Sequence, residues 1–472
     1  MTRLPTLHDV RLGASVSAAR LTAAAIQRLG RGGGTSAPGL VAQKIDPRML
    51  TRLAAQLPLG AIVVAGTNGK TTTSRVIADV LEANGHRAVH NRSGSNLVRG
   101  VFTAFAAQST MTGRLRGDIA VVEADEAAFP EILRLVKPRT ILLNNLFRDQ
   151  LDRYGELDAV ARKWKAALLD LSVETVIVYN GDDPGLCWVV DESPAVKVPF
   201  GLTDSTYVLS ELPHAADAAV CRWCGADLAY TQLYLSHLGN WTCPGCGRHR
   251  PALERAGRDI VLNGVTSLGI TIDGEGESHR YEIGIPGLYN AYNTLAAVAA
   301  GRQLGVPVST LSLATAAFRS AFGRIERVTW RDRQITIALV KNPVGFNEVL
   351  RMLTTSDGNL AVPTMIAIND GYADGRDVSW LWDVDFERLA SGGANLSTSG
   401  LRGPDMANRL KYAGVAEERI VPLADNLERG LDAFIESIPA GGEGYILPTY
   451  TAMLEIRRIF SDRGAVESFW EQ

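Results

Sequence analysis

The chain has 472 residues, 46% of them hydrophobic and 21% charged, an ordinary globular composition with material for about three domains. A net charge of −3 excludes the uniformly basic make-up of a nucleic-acid-coating protein, and no run of roughly 18 apolar residues is available to span a bilayer.

The N-terminal segment, the first part of residues 1–55, sets Arg3, Arg11, Arg20 and Arg28 against a single acid, Asp9, among many Ala, Ser and Gly. That mixture mimics a transit peptide, and fits equally well an amphipathic first helix with Ala on its buried face. We read it as a helical, Gly-rich segment of a cytoplasmic protein.

Residues 62–73 read IVVAGTNGKTTT and lead into an amphipathic stretch ending near Asn84. An apolar β-branched strand, a Gly-rich turn and a Lys-Thr pair predict a phosphate-binding loop at a helix N-terminus. Gly66, Thr67, Asn68, Gly69, Lys70, Thr71 and Thr72 would wrap ATP phosphates, with Lys70 on the outer ones and Thr71 on Mg²⁺. Val64 stands where the longer loop variant has a further Gly. A helix-capping turn with no ligand explains the glycines but not the strand, Lys and Thr at these offsets.

Three more apolar runs follow at helix-length separation: VVEAD (121–125), TILLNNL (140–146) and TVIVYNGDD (175–183). Alternation of strands and helices predicts a parallel α/β sheet with ligands at the carboxyl ends of its strands. Glu123 is the candidate Mg²⁺ ligand there. Asp125 and Glu126 read equally well as solvated loop acids, and Asn144, Asn145, Asp149 and Gln150 form the next polar cluster.

Cys221-x-x-Cys224 and Cys243-x-x-Cys246 have the spacing of a four-thiolate zinc site, with Gly225, Gly245 and Gly247 where the backbone turns under the metal. Four protein ligands leave no open position, so the Zn²⁺ would be structural. Disulfides are the alternative, but nothing indicates an oxidising compartment. Cys187, in the apolar run GLCWVV, reads as buried and inert.

Strand-like text resumes with VLNG, ITIDG and RYEIGI. Pro286-Gly287 then opens a helix bearing Asn290 and Asn293 on one face. From Val328 a second α/β unit begins, with ITIALV, TMIAIND and GYILPTY. These features divide the chain into residues 1–55, a central domain over 56–327 with an insertion at about 207–258, and a C-terminal domain over 328–472.

The motifs resemble the Mur ligase superfamily of ATP-dependent peptide-bond-forming enzymes. GTNGKTTT, VVEADE, the NxxN helix from Asn290 and GRIE (Gly323 to Glu326) fall in that family's order. RGGGTSAPGLVA, the four-cysteine ribbon, LVKNPVGFNEVL and INDGYADGRDVSWLWD look like its MurT branch, the larger subunits of lipid II isoglutaminyl synthases. The resemblance covers nearly the whole chain. It implies a Mur ligase-like central P-loop domain with a zinc-ribbon insertion, followed by a Rossmann-like C-terminal α/β domain.

The resemblance further implies ATP-dependent amidation of the D-glutamate α-carboxylate of the lipid II stem peptide, through an acyl phosphate, in peptidoglycan biosynthesis. Ammonia would come from a GatD-like glutaminase in a heterodimer acting at the cytoplasmic face of the membrane. Asn293 and Arg324 would contact the nucleotide. The glutaminase would supply Cys and His, and an Asp of this chain would orient the His. Asp377 leads the candidates, because it lies just ahead of the apolar Trp-Leu-Trp anchor; Asp374, Asp383 and Asp370 follow.

Departures accompany the resemblance. Gln150 replaces a metal-binding His, Trp164 (between Lys163 and Lys165) falls near the family's carbamoylated Lys, and ALVKNP (338–343) lacks the usual Asp and has Lys341 for His. Two other readings remain: a Mur-type ligase that adds an amino acid, and a nucleotide-gated module whose ribbon grips nucleic acid through Arg222, Arg248, Arg250, Trp223 and Trp241. Asp227 dilutes that patch.

Overall fold

The computed structural model describes residues 7–28, 36–91, 95–148, 157–213, 217–319, 325–354, 360–424 and 426–466. Three helices open the chain: α1 (Leu7–Arg28), α2 (Ser36–Ile45) and α3 (Met49–Ala54). A sheet follows, built from β1 (Ala61–Ala65), α4 (Lys70–Ala83), β2 (Ala88–His90), α5 (Val98–Ala107), β3 (Ile119–Glu123), α6 (Phe129–Val136), β4 (Thr140–Leu143), α7 (Leu157–Leu169), β5 (Val176–Asn180), α8 (Pro184–Val190) and β6 (Val196–Leu202). After a separate hairpin, β7 (Ala229–Leu235) and β8 (Leu238–Thr242), come β9 (Arg255–Asn263), β10 (Ser267–Gly274), β11 (Glu277–Ile283), α9 (Leu288–Gln303) and α10 (Val308–Ala317).

The strand order is β11-β10-β9-β6-β5-β4-β1-β3-β2. Pairing is parallel from β2 through β9, while β10 and β11 extend the sheet antiparallel. Every residue of β1, β3 and β4 is buried, which explains why these strands read as unbroken apolar runs: helices cover both faces. One face packs on Leu12, Val16, Met49, Leu50, Phe102 and Phe105 of the first helices and α5. The other packs on Val76, Ile77, Val80 and Leu81 of α4 and on α9.

The second sheet belongs to β12 (Ile325–Trp330), β13 (Arg333–Ala338), α11 (Pro343–Leu353), β14 (Thr364–Ala367), β15 (Leu396–Ser399), α12 (Gly403–Tyr412), β16 (Ile420–Pro422), α13 (Leu427–Ser437), β17 (Glu443–Pro448) and α14 (Tyr450–Asp462). Its order is β12-β13-β17-β14-β15-β16, parallel except for β12 against β13. Because β12 begins at Ile325, this sheet takes in residues 325–327, which the division of the sequence at 327 leaves in the central domain.

Register places the site. Val64 lies beside both Glu123 and Leu142, so β1, β3 and β4 end level with one another. The chain leaves β1 between neighbours reached by different crossovers, where an open α/β sheet leaves a crevice.

Candidate active site and zinc ribbon

Gly66 and Gly69 take φ of 147° and 83°, conformations that side chains with a Cβ rarely adopt. Close approach adds to the requirement, since a Cβ on Gly69 would lie 2.0 Å from Asn293 Oδ1. The helix α4 then starts at Lys70 with no side-chain cap, which directs its first N–H groups into the loop. This cradle fits a phosphate chain.

Lys70 is buried, and its Nζ donates to Gly66 O at 2.6 Å, Thr67 O at 3.1 Å and Glu126 Oε1 at 2.9 Å. Asp125 and Glu126 are therefore not solvated acids: both are buried, Asp125 Oδ1 accepts from Ala127 N, and Glu126 faces the loop lysine. Glu123 is buried at the end of β3, and its Oε1 accepts from Asn96 Nδ2 at 3.3 Å.

Strand β4 holds the loop from the other side. Asn68 N donates to Asn145 Oδ1 at 2.8 Å, Thr67 Oγ1 donates to Phe147 O at 3.0 Å, and Asn144 Nδ2 donates to Thr73 Oγ1 at 3.0 Å. Asn144 Oδ1 is left as a buried acceptor without a partner among the described residues. An unmet acceptor at the same end of the sheet as Thr71 and Glu123 suits a hydrated Mg²⁺, which keeps several waters that need acceptors. Asn293 Nδ2 donates to Asn290 Oδ1 at 2.9 Å, and its own Oδ1 accepts from Thr73 Oγ1 at 3.3 Å, so the asparagine pair of α9 reaches the loop. Arg324, Asp149 and Gln150 lie outside the described residues.

The lysines flanking Trp164 have other surroundings than the phosphate loop's lysine. Lys163 is exposed, and Lys165 pairs with Glu192 at 2.9 Å. Trp164 itself is fully buried, packs on Phe129, and donates Nε1–H to Glu126 O at 2.9 Å. An indole thus positions the residue whose carboxylate meets Lys70.

Beyond Gly69 a cleft of about 720 Å³ opens between the two sheets. Asn68, Asn293, Phe147 and Tyr292 line one side, and Lys341, Val344 and Glu348 the other. Asn342 of the C-terminal unit donates to Asn68 Oδ1 at 3.0 Å, while its Oδ1 caps α11. Arg351 of α11 donates to Tyr234 O and Tyr207 O at 2.7 and 2.6 Å. Neither contact had a signal in the sequence, since both join residues more than a hundred positions apart.

The four cysteine sulfurs lie within 4.8 Å of one another, with Cys221–Cys246 at 3.7 Å and Cys224–Cys243 at 3.4 Å. A Zn²⁺ tetrahedron with Zn–S of about 2.3 Å has edges of about 3.8 Å, so the set fits. The two knuckles repeat one geometry. Gly225 N donates to Cys221 O and Gly247 N to Cys243 O, with φ of 80° and 73° at the two glycines. Gly245 instead makes room between the knuckles, since a Cβ there would lie 2.7 Å from Ala226 Cβ. Cys187 is buried and not one of this set, and burial pushes its thiol up.

The ribbon's arginines each face a carboxylate of the central domain. Arg222 pairs with Asp158 at 2.6 Å, Arg248 with Asp191 at 3.1 Å, and Arg250 with the buried Asp182 at 3.0 Å. Trp241 Nε1 donates to Gly181 O. At its far end the β7–β8 hairpin places Leu235 and Leu238 in the wall of the cleft.

The acidic run of the C-terminal domain separates by role. Asp374 is buried, and its carboxylate accepts from Gly371 N at 3.1 Å, Thr451 N at 2.8 Å and Thr451 Oγ1. It ties the loop to α14, and burial raises its pKa. Asp370 meets Arg402 at 3.1 Å, and Asp383 meets Arg148 at 3.5 Å. Asp377 is exposed at the head of the short helix Ser379–Asp383, and the Ser379 N–H holds its carboxylate below the usual range. Tyr372 (77% exposed), Trp382 (51%), Leu401 (67%) and Tyr412 (70%) are exposed on the same domain.

Residues 64–215 match the Mur ligase middle domain and residues 339–453 the MurT ligase C-terminal domain. Over 443 residues the chain is 34% identical to the MurT subunit of lipid II isoglutaminyl synthase (glutamine-hydrolyzing) from Streptococcus pneumoniae, covering 93% of this chain and 95% of that protein. The chain belongs to the MurT family. The fold of this MurT family member is shared with a pseudomurein peptide ligase type C from Methanothermus fervidus (TM-score 0.67, 16% identity, 88% and 80% of the two chains). It is shared also with a MurF ligase from Thermotoga maritima, solved in complex with ADP (TM-score 0.63, 13% identity, 88% and 83%).

Proposed function

We propose that the protein is the ligase subunit of a glutamine-hydrolysing lipid II isoglutaminyl synthase. It would use ATP to convert the D-glutamate α-carboxylate of the lipid II stem peptide to D-isoglutamine, with ammonia delivered by a GatD-like glutaminase. The observation that carries the reading is an intact phosphate loop, with Lys70 buried in it, inside a chain similar over 93% of its length to a MurT subunit.

Transfer of the γ-phosphoryl group to the carboxylate gives an acyl phosphate, and ammonia then attacks the acyl carbon as phosphate leaves. The chain's part is positioning and charge neutralisation. Lys70 and the first N–H groups of α4 would face the phosphates, and Asn293, close against Gly69 and lining the cleft, would contact the nucleotide. Arg324 keeps its assignment as a nucleotide contact from the family resemblance alone. Thr71 and Glu123 would hold Mg²⁺, which neutralises phosphate charge when bound. The structural Zn²⁺ would sit in Cys221, Cys224, Cys243 and Cys246 and take no part in chemistry.

For the glutaminase, Asp377 is the foremost candidate to orient the partner's His. It is exposed and ionised near exposed Trp382, whereas Asp374 spends both oxygens inside the domain and Asp383 faces Arg148. A nucleotide-gated binding module would not require such an acidic loop. A nucleic-acid grip is weakened in its basic patch, because Arg222, Arg248 and Arg250 are each neutralised by a carboxylate of this chain. No described helix is long and apolar enough to cross a membrane. The lipid-linked substrate would be met at the cytoplasmic face.

The test is amidation of lipid II with ATP and ammonium, followed by mass spectrometry of the stem peptide. Lys70→Ala is expected to lower the rate by roughly 10²–10³-fold or more. Because that change strands the Glu126 carboxylate, Lys70→Ala/Glu126→Gln serves as the folding control. Full activity in a folded Lys70→Ala protein would refute the phosphate-loop assignment.

A further inference from the structure

We propose that the N-terminal helical unit is a docking surface for an anionic lipid bilayer. The proposal takes its purpose from the lipid-linked substrate read above, and its content from charge and exposure. Residues 1–55 contain eight Lys or Arg and two Asp or Glu, a net of +6 in a chain whose total is −3, so the remainder carries −9. Residues 97–117, which include α5 packed on α1, α2 and α3, add Arg99, Arg114 and Arg116 with no acid. One of the two acids, Asp46, is buried and pairs with Arg52 at 2.9 Å.

Helix α1 is apolar on two faces. Leu12, Ser15, Val16 and Ala19 are buried against the domain. Val10 (60% exposed), Ala14, Leu21 (64%) and Ala25 recur at helical spacing on the outer face, and Arg28 ends the same stripe. Ser17 Oγ donates to Met111 O at 3.1 Å, which brings the exposed Met111 (48%) to one edge of the stripe, with exposed Arg114 three residues on. On the opposite edge Arg11 Nε donates to Ile45 O at 2.6 Å, beside exposed Lys44.

An apolar stripe rimmed by cations is suited to lying in a headgroup layer. The aliphatic groups enter the acyl boundary while Arg and Lys meet anionic lipids. The acidic remainder of the molecule is repelled by the same surface, which orients the protein with α1 toward the bilayer.

Sedimentation of the full chain with vesicles tests this. Vesicles of one-third phosphatidylglycerol in phosphatidylcholine are expected to bind it about tenfold or more tightly than phosphatidylcholine alone at low salt. Val10→Ser/Leu21→Ser and Arg28→Gln/Lys44→Gln are each expected to lower that partition by about tenfold, with thermal unfolding and ATP binding unchanged. Equal partition onto both vesicle types, or variants that bind like the parent, would overturn the proposal. So would a dimer in sedimentation velocity that Val10→Ser/Leu21→Ser abolishes, which would assign the face to a second copy. The vesicles hold no substrate, so failure here leaves the amidation reading standing.

Discussion

Lys70 and Glu126 form a buried ion pair 2.9 Å apart at the centre of the phosphate loop, and Trp164 fixes Glu126 through its backbone carbonyl. A buried cation held by one carboxylate and two carbonyls has a defined position, which is what a group meeting phosphate charge requires. The same loop depends on having no side chain at Gly69. Gly69→Ala is expected to cost about 1–2 kcal/mol from backbone strain alone, and more from displacing Asn293. Thermal unfolding and ATP titration check this; an alanine variant with parental ATP affinity would show that the contact with Asn293 is dispensable. At this scale the sequence was informative where residue type and spacing encode chemistry, as in Lys70 or the four cysteines. It was ambiguous where burial decides: Asp125 and Glu126 look like loop acids, but the fold buries both and sets Glu126 against Lys70.

The zinc ribbon is the element whose reach exceeds its motif. Spacing of the cysteines and glycines foretold two knuckles, and the repeated Gly225 and Gly247 turns match that expectation. The hairpin that runs from the knuckles to the cleft was not legible, because Leu235 and Leu238 carry no signal beyond apolarity. We expect metal analysis to find one zinc per chain, and Cys221→Ser to unfold the ribbon, since metal binding and folding are coupled in such sites. Trp223 and Trp241, with ring centroids 6.1 Å apart, supply a fluorescence reading of that loss. Because the hairpin tip walls the cleft, zinc removal should also weaken ATP binding. Parental ATP affinity in a zinc-free protein would separate ribbon from cleft. Strands β1, β3, β4 and β5 were readable as apolar runs because both faces are covered; the antiparallel β10 and β11 were readable as strands but not in direction, which tertiary pairing sets.

The whole molecule divides its work between two sheets, with contacts between them that include Asn342 to Asn68, Arg351 to the ribbon, and Asp383 to Arg148. The phosphate loop lies on one, and the exposed Asp377 loop on the other. This separation of ligase chemistry from partner chemistry is the central claim, and Asp377→Asn tests it most directly. The variant, assembled with its glutaminase partner, is compared with the parent using glutamine and then free ammonium as nitrogen donor. We expect complex formation and ammonium-fed amidation to persist, while glutamine-fed amidation falls by roughly 10²-fold or more, as loss of a His-orienting carboxylate does in triad chemistry. Equal losses with both donors would place Asp377 in the ligase step, and no loss with either would return it to the solvated turn; both results contradict the account.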